Sequence, residues 1–438
     1  MDPATQTHCV LLLALPPDAL AGIDLLSFTT TPRFHGVKNL PPGLHFVFAA
    51  SDASVALRHG AWFYVSPGAG PPQVFIKRWD KATEDLVADT APTEVLRWRA
   101  NLGSVWKDGL TPYRQTVKST DAGGEDEVTE ESTDWDQLTS HISPSLLSRI
   151  SGLNPDHWSL TSASSAAQDL EHIPGLEKSN SVLYPEKELQ FLPVDLKRTW
   201  RVGATGTERT EAARDRSWAL GELIEKHCKG TSVRSRELEV LGELQFAFLM
   251  VLTLNNNSCL EQWQRLLGLF FTCRQAVKER SHLFIELLKT LRLQLSHCTD
   301  METVIFDLAE PNGGFLRPLL RKFRLGLDDF GGKAKVDVVD EFDELQEFLK
   351  EKFGWELDDS FVKHGPLQLE DGEQVELDVN GADEDDETGE FAPIIVDLTP
   401  AQIRELSREG GNQAVTEKKP DDEDDAEESD LEDMDTRF

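Results

Sequence analysis

Cysteine is scarce in this sequence. The chain contains only five cysteines, at positions 9, 228, 259, 273 and 298, and no two of them have the C-x-x-C spacing. Proteins stabilised by disulfides carry many closely spaced cysteines, so this scattered set argues against a disulfide framework. We therefore expect reduced thiols in a cytosolic or nuclear protein.

Long hydrophobic runs are also missing. The longest covers residues 244–254 and is interrupted by Gln245 and Thr253, whereas a membrane-spanning helix needs about 20 apolar residues. The apolar opening at residues 9–15 has no lysine or arginine before it and runs into two prolines. This pattern indicates a buried strand and makes a poor signal peptide. We expect no contact with membranes.

Basic residues are outnumbered. The chain has 44 lysines and arginines against 78 aspartates and glutamates, a net charge of −34. Residues 365–438 alone hold 26 acidic and 5 basic residues, a net charge of −21. Affinity for nucleic acids comes largely from lysine and arginine displacing counterions from phosphates. We therefore expect no direct sequence-specific binding of RNA or DNA.

The first part of the chain is rich in predicted strands. Short apolar runs at residues 10–13, 45–48, 61–65 and 73–76 are separated by proline and glycine clusters. This alternation is typical of an antiparallel sheet or small sandwich, and we place that domain at residues 1–203. The acid-rich stretch 119–134 is predicted to be a disordered insertion. A helix is expected near residues 135–150, a loop at 159–167, and a return to the sheet at 189–192.

From Thr210 onward the apolar residues recur with helical spacing. Helices are predicted at residues 211–229, 236–254, 259–279, 283–295, 302–308, 315–325 and 338–353. The second of these is apolar nearly all round at its C-terminal half, which indicates a buried helix. Ser258 and Glu261 fit a capping box at the start of the third. The helical domain is placed at residues 208–364, giving an α+β chain.

An apolar island interrupts the acidic tail at residues 365–438, which is otherwise predicted to be disordered. The island is a candidate strand for binding a partner, and its residues are Phe391, Ala392, Pro393, Ile394, Ile395, Val396, Asp397 and Leu398. A single strand is not stable alone, so it must either fold back onto the protein's own sheet or add to the sheet edge of a partner. Both alternatives stay open.

The sequence contains no convincing catalytic, cofactor-binding or metal-binding pattern. The glycine-rich run at residues 203–207 lacks the lysine and hydroxyl that a phosphate-binding loop uses. His227–Cys228 and His297–Cys298 are adjacent pairs, and neighbours on a helix point in different directions. Thr133 and Ser429 each precede an acidic residue by three positions and are candidate phosphorylation sites. We predict a protein that is not an enzyme, with no cofactor and no metal.

Three segments resemble the Aar-two splicing-factor family. They are residues 34–46 (FHGVKNLPPGLHF) preceded by Gly22, Ile23 and Asp24, residues 241–248 (LGELQFAF) followed by 263–267 (WQRLL), and residues 392–398 (APIIVDL). The acidic insertion at 119–134 and the extension after Leu398 depart from the family pattern. The resemblance implies a β-rich N-terminal domain, an all-α VHS-like helical domain and a tail that contributes a strand to a partner.

The same resemblance implies a function in pre-mRNA splicing. Members of that family are assembly factors of the U5 small nuclear ribonucleoprotein (snRNP). They bind the RNase H-like and Jab1/MPN-like domains of the large Prp-eight scaffold protein, delay docking of the helicase, and act in the cytoplasm before nuclear import and phosphorylation. Two other readings remain: a VHS-like adaptor in trafficking, and a hydrolase with an unrecognised site.

Overall fold

The computed structural model describes ten stretches of the chain. They are residues 7–52, 57–68, 70–89, 91–114, 134–165, 187–298, 314–328, 333–357, 365–368 and 374–377. Within them, no helix combines the length and the apolarity that crossing a membrane requires.

Two five-stranded sheets form the N-terminal region. The strands are β1 (Cys9–Leu13), β2 (Leu20–Ile23), β3 (Leu26–Thr29), β4 (Gly36–Lys38), β5 (Gly43–Ala50), β6 (His59–Val65), β7 (Val74–Asp80), β8 (Asp85–Ala88), β9 (Leu110–Pro112) and β10 (Trp158–Thr161). The first sheet has the order β8-β7-β1-β4-β9 and the second β10-β6-β5-β2-β3. The second sheet is antiparallel throughout. In the first, β1 with β7 and β4 with β9 are parallel pairs, so this sheet is mixed.

Side chains alternate along β1 between two buried surfaces. Val10 and Leu12 pack against Val47 and Phe63 of the second sheet. The odd-numbered residues of β1 pack against Leu102 and the helix that carries it, α1 (Pro92–Trp106). Because both faces of β1 are covered, its sequence is a continuous apolar run. Helix α1 was not predicted from the sequence. Only Leu102 and Trp106 of its 15 residues are buried, so it lacks a clear apolar face.

Gly36 allows β4 to approach β1 closely. Its φ angle is +150°, in a region that favours glycine. A Cβ atom at this position would lie 2.1 Å from the carbonyl oxygen of Val10. The glycine in the segment 34–46 therefore has a backbone role in the first sheet.

The connection to the helical region differs from the prediction in two places. Residues 158–161 form β10, not a loop, because Trp158 and Leu160 are buried against the sheet. Residues 189–192 are not a strand. Their backbone amides bond to scattered acceptors, including Ile150 O and a glutamate carboxylate, and not to a neighbouring strand. Two short helices, α2 (Asp134–Leu138) and α3 (Pro144–Ser151), occupy the predicted helical segment.

The C-terminal region is helical. Its helices are α4 (Gly206–Arg214), α5 (Ser217–His227), α6 (Val233–Leu254), α7 (Asn257–Phe270), α8 (Gln275–Glu279), α9 (Ser281–Ser296), α10 (Leu316–Asp328) and α11 (Lys333–Phe353). The α+β architecture predicted from the sequence is confirmed. The helix predicted at 302–308 lies outside the described residues.

Three predicted helices differ from the structure. The helix expected at 259–279 is interrupted, because α7 ends at Phe270 and α8 begins only at Gln275. The helix expected at 211–229 is broken at Asp215, whose carboxylate accepts bonds from the backbone amides of Ser217, Arg274 and Gln275. The start of α7 is capped by Asn256, whose Oδ1 accepts from Cys259 N at 2.8 Å, and not by Ser258. Asn256 prevails because its Nδ2 also donates to Thr161 O and Ser164 O, which ties the cap to β10.

One continuous apolar core joins the second sheet to the helices. The rings of Trp62 and Trp135 stack with centroids 5.6 Å apart, and Trp62 also meets Phe246 of α6 at 6.2 Å. Trp135 Nε1 donates to Leu44 O at 2.7 Å. The layers therefore run α1, first sheet, second sheet, helices. The predicted domain limits near residues 203 and 208 stay predictions.

A small hairpin lies beyond the helices. Strands β11 (Gly365–Gln368) and β12 (Gln374–Leu377) pair antiparallel. The predicted disorder of residues 365–438 thus differs from the structure at this hairpin, where two short segments separated by five residues satisfy each other's backbone groups.

Candidate functional site

The site residues predicted from the sequence all lie outside the described residues. They are the strand residues Phe391, Ala392, Pro393, Ile394, Ile395, Val396, Asp397 and Leu398, and the candidate phosphorylation sites Thr133 and Ser429. The described part of the chain contributes three other features: a polar junction between the sheet side and the helices, a basic surface, and two buried polar clusters between strands.

The junction centres on Glu243 of α6, which is fully buried. Its Oε2 pairs with Arg149 of α3 at 2.6 Å, and its Oε1 accepts from Leu192 N and from Gln262 Nε2 of α7, both at 2.8 Å. Burial raises the pKa of Glu243, and the Arg149 guanidinium opposes that rise. Arg149 also reaches Glu239 at 3.1 Å. One carboxylate therefore holds α3, the 189–192 segment, α6 and α7 together.

Gln245, two residues further along α6, extends the junction. Its Oε1 accepts from His141 N at 2.9 Å, and its Nε2 donates to Gln137 O at 3.0 Å. Gly242 permits this approach, because a Cβ there would lie 2.3 Å from His141 O. The segment 241–248, one of the three that carry the sequence resemblance, thus helps to fix the helices against the sheet side.

A basic surface is built from three sequence segments that meet in the fold. Residues 196–216, 271–280 and 314–328 together contain 13 basic and 5 acidic residues, a net charge of +8. Arg216 N donates to Thr272 O, and the rings of Phe271 and Phe323 lie 4.9 Å apart, which places the segments side by side. A shallow groove within this surface is lined by Arg214, Arg274 and Lys322 above an apolar floor that includes Phe323 and Leu327.

The first polar cluster of the sheets surrounds Asp24. Its carboxylate accepts from His45 Nδ1 at 2.8 Å, from Phe46 N at 2.8 Å and from Tyr113 Oη at 2.5 Å. Burial disfavours protonation of His45, but Asp24 outweighs it and the pKa of His45 is raised. The other ring nitrogen, Nε2, bonds to Pro41 O at 2.9 Å. Both nitrogens are engaged within the protein, so this His–Asp pair is arranged to support structure.

The second polar cluster surrounds Lys77 of β7, whose side chain is 2% exposed. Its Nζ donates to Asp156 O and to His157 Nδ1, the latter at 2.9 Å. Burial lowers the pKa of Lys77 to about 7, and burial together with the lysine charge lowers the pKa of His157 to about 3. Nearby, His59 Nδ1 bonds to Asp85 at 2.8 Å. Among the described residues, no group of three or more His, Cys, Asp or Glu side chains is placed to hold a metal ion.

Comparison with known families covers both regions of the fold. The model of the AAR2 N-terminal domain matches residues 6–152, and the model of the AAR2 C-terminal repeat region matches residues 191–358. The chain belongs to the AAR2 family. The resemblance found in residues 34–46 and 241–248 is thereby confirmed.

Curated relatives match over most of their length. The "Protein AAR2 homolog" of Mus musculus is 26% identical over 403 residues, which cover 84% of this chain and 94% of that protein. The Homo sapiens protein of the same name is 27% identical over 399 residues with the same coverage. That of Caenorhabditis elegans is 23% identical over 361 residues, covering 79% of this chain and 94% of the relative. Family membership supports a splicing-related role for this chain.

Sequence reasoning missed the junction and the basic surface. Glu243 and Gln245 are polar residues next to the apolar C-terminal stretch of α6, which is a usable signal for a buried polar contact. The basic surface could not be recognised because its three segments are far apart in the sequence and the chain as a whole has a net charge of −34.

Proposed function

We propose that this chain is a non-enzymatic assembly factor of the U5 snRNP. In this role it binds the RNase H-like and Jab1/MPN-like domains of a large Prp-eight-type scaffold protein and delays docking of the helicase. The observation that carries the proposal is the match of two AAR2 family models to residues 6–152 and 191–358. We place its action in the cytoplasm, with nuclear passage.

The proposed mechanism uses two contacts. Residues 391–398 would add as a strand to a sheet edge of the scaffold, and the exposed face of the helices would supply the second contact. A backbone hydrogen bond nets only about 1 kcal/mol, so a short strand needs the second contact to hold. Tethering both contacts on one chain raises the effective concentration of the second into about the millimolar range.

The described structure supports a rigid second contact. The contacts of Trp62 with Trp135 and Phe246, together with the Glu243 junction, make the sheets and helices share one core. A scaffold domain docked on the helices would therefore be held at a fixed position relative to the sheets. Phosphorylation at Thr133 or Ser429 would add negative charge and could promote release.

A pull-down of the scaffold by the purified full-length chain tests the strand contact. Deleting residues 390–399 should weaken binding at least tenfold, because it removes all the proposed strand pairing. The matched control deletes residues 405–414, an equally long piece of the same tail, and should bind like the parent. Equal binding by both deletions would defeat the strand contact.

Affinity purification from cells, followed by mass spectrometry, tests the function as a whole. We expect the U5 scaffold protein as the leading partner. Recovery of membrane-sorting proteins instead would favour the VHS-like adaptor reading. Thermal unfolding of the 390–399 deletion variant tests the remaining alternative. A large loss of thermal stability would mean that the strand folds back onto the protein's own sheet.

A further inference from the structure

The basic surface stands out against the charge of the whole molecule. Its three segments carry a net charge of +8 in a chain with a net charge of −34. Two of its five acidic residues are used locally: Asp215 accepts from the backbone amides of Arg274 and Gln275, and Glu208 completes a capping box with Thr205. Their negative charge is directed at helix ends. Glu237 and Asp343, from outside the three segments, pair with Arg280 and Arg324. The cations that remain exposed along the groove are Arg214, Arg274 and Lys322.

The groove within this surface combines exposed cations with an apolar floor. Arg214, Arg274 and Lys322 are exposed along it, while Phe271, Phe323 and Leu327 are buried beneath it. Phe271 and Phe323 stack edge to face, and Phe323 also lies 6.1 Å from Phe284 of α9. The cations are therefore held on a floor anchored in the helical core.

The same chain contains a segment of complementary charge. Residues 421–435 hold 11 acidic residues and no basic residue. Sixty-three residues separate Leu357, near the end of α11, from Asp421. Without the 13 residues of the hairpin at 365–377, 50 residues remain. At about 3.4 Å per residue, they still exceed the dimensions of a domain of this size several times.

We propose that residues 421–435 bind the basic surface of their own molecule, along the Arg214–Arg274–Lys322 groove. Each exposed ion pair is weak, but many act together and the tether supplies a high local concentration. An external polyanion lacks the tether and is repelled by the net charge of the molecule. The contact would keep the basic surface covered until a more basic partner takes the tail away. This inference concerns the isolated chain and stands independently of the U5 role.

Zero-length carbodiimide cross-linking of the purified full-length chain provides the test. The reagent couples lysine amines to carboxylates in direct contact. The basic surface carries the exposed lysines Lys197, Lys278 and Lys322, and Lys226 and Lys350 are exposed lysines outside it. Peptides from 421–435 should be cross-linked to Lys197, Lys278 and Lys322 at least five times more often than to Lys226 and Lys350. Raising the salt from 50 to 500 mM should remove most of this difference, since the contact is electrostatic.

Mixing chains of two isotopic compositions distinguishes binding within one molecule from binding between copies. We expect each cross-link to join two peptides of the same isotopic composition, which means that both come from one molecule. The double variant Arg274→Gln and Lys322→Gln should lower the cross-links at Lys197 and Lys278 at least threefold, whereas Lys226→Gln with Lys350→Gln should leave them unchanged. Cross-links spread evenly over all lysines, insensitive to salt, or formed between differently labelled copies would overturn the proposal.

Discussion

The sheets and the helices use buried polar groups in different ways. In the sheets, Asp24 with His45 and Lys77 with His157 bond to one another and to nearby backbone, within the same region. In the helices, the buried side chains of Glu243 and Gln245 bond across to the neighbouring region, Glu243 to Arg149 and Gln245 to the loop after α2. A polar group inside one region fixes local strand positions, whereas a polar group at its border fixes how two regions meet.

The largest effect is expected at the border. Glu243→Ala should lower the free energy of unfolding by about 3–5 kcal/mol, because Leu192 N and Gln262 Nε2 lose their buried acceptor and Arg149 loses one of its two carboxylate partners. Urea unfolding followed by circular dichroism measures the loss. Glu261→Ala is the matched control on α7, where a half-exposed pair with Arg265 should contribute less than about 1 kcal/mol. Similar losses in both variants would show that the buried junction contributes no more to stability than a half-exposed ion pair.

A smaller effect is expected within the sheets. Asp24→Ala should lower the free energy of unfolding by about 2–3 kcal/mol, since a buried donor left without an acceptor costs about 1–3 kcal/mol. Tyr113→Phe removes one of the donors to the same carboxylate and should cost less. The raised pKa of His45 gives a second readout. Its stabilising contribution is present below pH 6.5 and disappears as the pH rises through the folded-state pKa, so the Asp24→Ala variant should lose that dependence.

The smallest change in the free energy of unfolding is expected for a substitution at Lys77, when stability is measured at alkaline pH. Its pKa is lowered by burial to about 7 from 10.5, so the unfolded chain binds more protons between these values and stability should rise with pH across that window. Lys77→Met should flatten the rise and change stability at pH 9 by less than about 1.5 kcal/mol, because the side chains have similar volumes. Lys81→Met, at an exposed position, is the control and should keep the slope. A slope that persists in Lys77→Met would assign it to other groups.

Much of the fold could be predicted because its signals are local. The strands β1, β5 and β6 are apolar runs between turns, and the C-terminal half of α6 is apolar on nearly every side. The break at Asp215 could not be predicted, because it depends on distant residues. The Asp215 carboxylate accepts hydrogen bonds from the backbone amides of Arg274 and Gln275, which are 59 and 60 positions away in the sequence. The choice of Asn256 over Ser258 as the cap of α7 likewise depends on β10. The strand residues 391–398 stay a prediction from sequence.

The position of the thiols makes this protein convenient for spectroscopic labelling. All five cysteines are buried, and burial raises the pKa of Cys9, Cys228 and Cys298 to about 12. At neutral pH almost none of those sulfurs is the reactive thiolate. Maleimide dyes should therefore attach only to cysteines introduced by design, and a pair placed in α10 and near residue 430 would report their separation without any native thiol having to be removed.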